Sequence, residues 1–239
     1  VSAPAIFCES HNEWVVSMPD IDIMSALSPT QRASLEKDAV KRTHRKGTVI
    51  SGPDDENDRV NLVVSGRVKI YSLSACGNEI IFRFCGPNSF FGIAGLFGAG
   101  QRNVFSEAVE DTEVMSISSA SVERVVSENP ALAMSLIRVL SSRIRQAHEA
   151  IREFVFCDAR SRVAHLLVKL AEIEDDANPG VPVRLKGKMT HQDIADMIGA
   201  TRQTVTEIIN EFKRQGYVKS EARAIVILDC QRLRDLITD

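Results

Sequence analysis

The residues of this chain best suited to chemistry stand in "THQDIADMIGATRQTVTEIINEFKRQGYV", near the C-terminus. Arg202, Gln203, Thr206 and Glu207 point outward from a short amphipathic segment, with Thr201 and Thr204 beside them. A solvated helix face would carry lysine and glutamate. This one carries groups that read base edges, since arginine pairs bidentately with guanine and glutamine with adenine. A capped helix start with threonines can also hold phosphate. The chemistry implied is recognition of double-stranded DNA, not bond making.

Two helices must place these groups. Thr190-His191-Gln192-Asp193 is a capping-box start, and Ile194, Ala195 and Ile198 form the buried stripe behind it. Gly199 is the corner, because a tight helix-to-helix turn needs positive φ. Thr201 caps the second helix, Val205, Ile208, Ile209 and Phe212 face inward, and Gly216 ends it. The pattern is a helix-turn-helix; the plain alternative is a helical hairpin with a polar face. The strand pair after Tyr217 reads as a wing, with Lys219 and Arg223 near its tip to touch the DNA backbone. Arg184, Lys186, Lys188, Arg202, Lys213, Arg214, Lys219 and Arg223 concentrate positive charge there, in a chain of net charge −3.

The remaining sequence supplies the frame. From about Gly47 to Ile117, "TVIS", "VNLVVSG", "RVKIYSL", "EIIFRFCGP" and "VFSEAVEDTEVMSIS" read as short strands between turn clusters, a β-sandwich or jelly roll. "SPTQ" at Ser28 to Gln31 opens a helix before it. Asn129-Pro130 opens a long helix in which Ile137, Ile144 and Ile151 recur every seven residues, with Leu140, Ala147 and Phe154 three further on. Arginines and glutamates flank this narrow stripe. It predicts a two-fold coiled-coil seam between two copies; the alternative is an ordinary amphipathic helix on its own β-domain. Helix "ARSRVAHLLVKLAEIE" follows, with Val163, Leu166, Leu167 and Leu170 as its apolar face, and then the loop "DDANPGVP". The division is a sensor domain at 1–128, a dimerisation helix at 129–156 and a DNA-binding domain at 157–239, an α+β chain.

Composition agrees with a globular protein of 239 residues, 44% hydrophobic and 26% charged. Five scattered cysteines without a CxxC fit neither a disulfide framework nor a zinc site, and imply a reducing compartment. No signal peptide and no apolar run long enough for a bilayer is present, so the expected location is cytoplasmic, with no membrane partner.

At "SGRVKIY", "FFGIAGLF", "ENPALAMSLIRVLSSRI", "FCDARSRVAHLL" and "THQDIADMIGATRQTV" the chain resembles the cyclic-AMP receptor / fumarate-nitrate reductase regulator (CRP/FNR) family of bacterial transcription factors, over about Ile21 to Ile237. The resemblance implies a cyclic-nucleotide-binding-like β-roll, a dimer helix and a winged helix-turn-helix. It implies a homodimer that binds a palindromic operator, bends it and contacts RNA polymerase. Arg202 then matches the family's guanine reader, and Thr190, Gln192, Thr201 and Thr204 match phosphate contacts. Glu207 stands where the cyclic-AMP branch has a second base-reading arginine. A carboxylate cannot bond guanine O6/N7 but accepts from cytosine N4, so a different half-site is expected.

The resemblance also implies an effector pocket at Gly92, Ile93, Arg102, Asn103, Ala147 and His148. Ile93 replaces the glutamate that holds a ribose, Asn103 the serine that assists Arg102 at the phosphate, and Ala147-His148 the Thr-Ser pair that meets the purine. Arg102 can still hold an anion. Losing several buried charged hydrogen bonds, at about 2–3 kcal/mol each, argues for a small-molecule effector other than cyclic AMP, of unknown identity. No cofactor is assigned. An iron–sulfur cluster lacks its cysteines, since only Cys8 lies near the N-terminus. Haem would need His11, His44 or His148, and a thiol switch would use Cys76, Cys85 or Cys157. A cupin-like metal enzyme would need a histidine cage, and the β-region holds only His44.

Overall fold

The structure, a computed structural model, describes residues 27–53, 55–56, 58–96, 102–173, 182–185, 189–221 and 224–237. Cys8, His11, Lys186, Lys188 and Arg223 lie outside these residues, as does most of the loop after residue 174.

Helix α1 (Pro29–Lys37) begins as its sequence dictates. Ser28 Oγ accepts from Gln31 N, and Gln31 Oε1 accepts from Ser28 N. Eight strands follow: β1 (Val40–His44), β2 (Val49–Ser51), β3 (Arg59–Ser65), β4 (Val68–Leu73), β5 (Glu79–Cys85), β6 (Phe90–Phe91), β7 (Phe105–Ala108) and β8 (Thr112–Ser118). They pair antiparallel as two four-stranded sheets, β1-β8-β3-β6 and β2-β7-β4-β5. The crossing order is that of a roll. Alternation sends Val63, Val68, Ile70, Phe91 and Val114 between the sheets. The neighbouring residues Leu62, Phe90, Met115 and Ile117 face the helices instead.

Three elements depart from the expected pattern. Strand β1, "VKRTH", has one apolar residue in five and lies exposed at a sheet edge, where charge is favoured and alternation is lost. The stretch read as one strand from Val104 to Ser118 breaks between Ala108 and Thr112 into β7 and β8, which belong to different sheets. Helix α2 (Ser119–Glu128), capped by Ser118, precedes the long helix. Its valines Val122 and Val125 are buried against the roll.

Asn129 closes α2 and caps helix α3 (Pro130–Phe156), its side chain accepting from Leu132 N. Leu132 and Leu136 bury the first half of α3 on the roll; Val139 is also buried, and beyond it the helix has no buried residue. The C-terminal unit contains α4 (Ala159–Ile173), β9 (Val183–Arg184), α5 (His191–Ile198), α6 (Arg202–Arg214), β10 (Val218–Glu221), β11 (Ala224–Ile227) and α7 (Cys230–Arg234). Its own core gathers Val163, Leu167, Ile194, Val205, Ile209, Phe212 and Ile227. The sheet β10-β11-β9 includes the expected wing pair, while β9 and α7 were not foreseen.

Candidate nucleic-acid interface and effector cavity

Local hydrogen bonds set α5 and α6. Thr190 Oγ1 accepts from Asp193 N, and Asp193 Oδ2 accepts from Thr190 N at 2.8 Å. Gly199 takes φ 65° and ψ 47° at the corner. Thr201 Oγ1 then accepts from Thr204 N at 3.1 Å. Ile194, Ala195, Val205, Ile209 and Phe212 are fully buried behind these caps. That burial fixes the phase of α6 and leaves Arg202, Gln203 and Glu207 exposed.

The exposed groups are already organised. Gln203 Nε2 donates to Glu207 Oε1 at 3.0 Å. Thr206 behaves differently from the sequence expectation: it is half-buried, and its hydroxyl donates to the Arg202 carbonyl at 2.8 Å. That uses its one proton, so in its 2.8 Å contact with His191 Nδ1 the imidazole is the donor. Thr206 is thus a brace between α5 and α6, with its hydroxyl committed inside the protein. His191 was missed because its partner is fifteen positions away and only the packed corner joins them. Burial, then Lys213 and Arg202, holds its imidazole below the ordinary value.

The expected phosphate set lies mostly at the helix starts. Thr190 and Thr201 are exposed caps, Thr204 is half-buried, and Gln192 is exposed but donates to Asp196 Oδ1 at 2.7 Å. On the wing, Lys219 Nζ sits 2.6 Å from Glu221 Oε1, with Arg184 3.9 Å from the same carboxylate. Lys219 holds Glu221 below the usual carboxylate range. The wing lysine is therefore internally paired, which weakens the charge concentration expected there.

Along α3, Ile137, Ile144 and Ile151 are more than half exposed, as are Phe154 and Val155, and Met134 is half exposed. Ala147 is exposed as well. Two seam residues have other partners. Leu140 packs partly against the core of the roll. Phe154 lies against the corner, where a Cβ on Gly199 would come within 2.9 Å of its ring, and Arg162 stacks on it at 5.0 Å. Lys169 Nζ bonds Glu153 at 2.6 Å and further ties α3 to α4. Helix α5 itself rests against β5 of the roll.

A cleft of about 380 Å³ opens at one end of the roll. Arg42 and His44 of β1, Arg59 and Asn61 of β3, and Ser51, Ser116 and Arg102 line it with Asp55, Glu56 and Asp58. Arg102 donates from Nη1 to Ser51 Oγ (3.2 Å) and from Nη2 to the Arg59 carbonyl (3.0 Å), while its buried Nε has no partner among the described residues. Burial opposes its charge and Asp55 and Asp58 support it. Gly92 lets the guanidinium approach, since a Cβ there would stand 3.3 Å from Nη1.

Comparison with known proteins decides the family. The cyclic nucleotide-binding domain matches residues 41–129 and the Crp-like helix-turn-helix domain residues 161–236. A global nitrogen regulator of Nostoc sp. is 31% identical over 191 residues, 79% of this chain and 85% of that one. The chain belongs to the CRP/FNR family of transcription regulators. It is also 26% identical, over 88% of its length and 94% of the relative's, to a CRP-like cAMP-activated global transcriptional regulator of Mycobacterium tuberculosis. Among solved structures it resembles a CooA mutant from Carboxydothermus hydrogenoformans, with TM-score 0.76, 25% identity, and 94% and 98% of the two chains covered. FixK2 from Bradyrhizobium japonicum follows at TM-score 0.70 and 28% identity, covering 84% and 98%.

Within this CRP/FNR frame the described residues bring together only part of the pocket inferred from resemblance. Gly92 and Arg102 meet, but Ile93 is 3% exposed in the core between roll and helices. An isoleucine has no hydrogen bond to gain in a cleft and packs inward instead. Asn103, Ala147 and His148 are exposed and do not line the cleft. Ile93 itself offers no acceptor for a ribose hydroxyl, so the described residues of this set do not fit a cyclic nucleotide. Of the thiols, Cys85 is buried between the sheets, Cys157 is half-buried and Cys76 exposed. Among the described residues no helix is long and apolar enough to cross a membrane. Nor, among them, do three or more His, Cys, Asp or Glu side chains gather as a metal site.

Proposed function

We propose that this CRP/FNR regulator acts as a homodimer and reads a palindromic operator with the start of α6, under an effector other than cyclic AMP held in the β-roll. The observation that carries the reading is the exposed Arg202-Gln203-Glu207 face on a fully packed helix-turn-helix. The two-fold partner is supported by the bare apolar stripe of Ile137, Ile144 and Ile151 on α3. A two-fold protein matches a two-fold operator. Contact with RNA polymerase and a location in the cytoplasm belong to the same proposal, supported by the family. The effector reading rests on the absence of an acceptor at Ile93 and on the buried Nε of Arg102, which has no partner among the described residues.

The test is fluorescence anisotropy of the ligand-free protein against a pool of randomised palindromes at fixed salt, with and without cyclic AMP. Selective binding that cyclic AMP does not alter supports the whole reading. Binding that requires cyclic AMP replaces it with a cyclic-AMP-responsive regulator.

A further inference from the structure

The pairing of Gln203 with Glu207 has a consequence for operator sequence, resting on the reading of α6 as the base-contacting helix. The two residues stand one turn apart on the exposed face, and the amide donates to the carboxylate at 3.0 Å. The orientation of the amide follows from chemistry: its oxygen turned toward Glu207 would oppose two acceptors. With one N–H of Nε2 engaged by Glu207, Gln203 Oε1, its second N–H and the free carboxylate oxygen are left to the groove. Glu207 thus presents acceptors alone, next to the donors of Arg202.

In the major groove, acceptors are complementary to the exocyclic amino groups of cytosine and adenine. Guanine and thymine present O6, N7 and O4, which a carboxylate repels. Adenine sets its N7 acceptor beside the amino group, whereas cytosine offers the amino group alone. We propose that Glu207, held in place by the Gln203 amide, selects a cytosine in each half-site, separate from the guanine contacted by Arg202. Arg202 and Glu207 are five positions apart, about 7.5 Å along a helix axis at 1.5 Å per residue. That spacing corresponds to roughly two base-pair steps of 3.4 Å.

Gln203 is the positioning residue of the pair. Without its N–H the carboxylate is free to swing toward solvent, away from phosphate and from the groove. This separates the proposal from an ordinary helix-surface pair, whose loss would leave base preference untouched.

The experiment is selection of binding sites from a randomised palindrome pool by the full-length protein, followed by competition with single-base variants of the selected site at fixed salt. Wild type is expected to favour cytosine over the other bases at one half-site position, by on the order of tenfold. Glu207→Gln should bring that preference near unity while the guanine preference stays. Gln203→Ala should reduce it severalfold. Both positions are exposed, and unchanged thermal unfolding confirms intact folding. The proposal is overturned if Glu207→Gln keeps the cytosine preference, or if wild type selects the G·C pair read by Arg202 and no second G·C pair in the half-site. A wild-type protein that enriches no sequence overturns the base-reading role of α6, and this pair with it.

Discussion

At the scale of single residues, Arg202 carries the sharpest expectation. Arg202→Ala should weaken binding to the selected operator by about 1–3 kcal/mol and relax preference at one base pair. Competition titrations check both, and an unchanged preference would remove Arg202 from the base-reading set. His191 gives a pH-dependent signature. Its imidazole is held below the ordinary value by burial, Lys213 and Arg202, so the unfolded chain binds the proton first as pH falls. The resulting contribution to stability is complete above about pH 6.5 and is lost as pH drops from there through the folded value. His191→Ala should therefore flatten the fall in urea midpoint between about pH 7 and 5, and a retained slope would assign it to other groups. Arg202, Gln203 and Glu207 were legible because capping and the apolar period, both local in sequence, set the phase of α6. The His191–Thr206 brace was not, since it exists only once Gly199 has folded α5 back on α6. Ile93 shows the opposite failure. A position inherited by resemblance pointed to a pocket, and the apolar side chain went to the nearest core.

At the scale of elements, α3 divides its work between two faces. Leu132 and Leu136 bury it on the roll, while Ile137, Ile144 and Ile151 stay more than half exposed. Ile144→Lys puts two like charges across the proposed seam and should convert the dimer to a monomer, with light scattering as the readout. An unaltered dimer mass would move the contact elsewhere. A monomer would lose operator affinity as well, because the two half-sites would no longer be held together. The seven-residue period made the stripe visible in sequence. It could not show that Leu140 belongs partly to the roll or that one edge of the Phe154 ring meets the corner, since both depend on what the helix crosses. Elements with few apolar residues were the hardest to foresee. Strand β1 is recognisable by its pairing with β8, Val40 opposite Ser116 through His44 opposite Thr112, and by little in its own composition.

At the scale of the whole molecule, the helix-turn-helix unit touches both α3 and the roll, through Phe154 on Gly199 and α5 on β5. An effector that shifts the roll or α3 therefore acts on the corner that sets α6. This coupling has a stability test that needs no effector. Gly199→Ala places a Cβ at positive φ, costing about 1–2 kcal/mol on its own. The same Cβ falls 2.9 Å from the Phe154 ring, which must move and give up its packing against the corner and against Arg162. Phe154→Ala removes the obstacle but not the backbone strain. In that background Gly199→Ala should cost only the strain, so the double-mutant cycle should show a coupling of roughly 0.5–1.5 kcal/mol. Denaturant midpoints at matched protein concentration, with the dimer fraction held constant, supply the four corners of the cycle. Strict additivity would mean that Phe154 does not rest on Gly199 in solution, and the proposed route from α3 to the recognition helix would have to run through α4 and its Glu153–Lys169 bond instead.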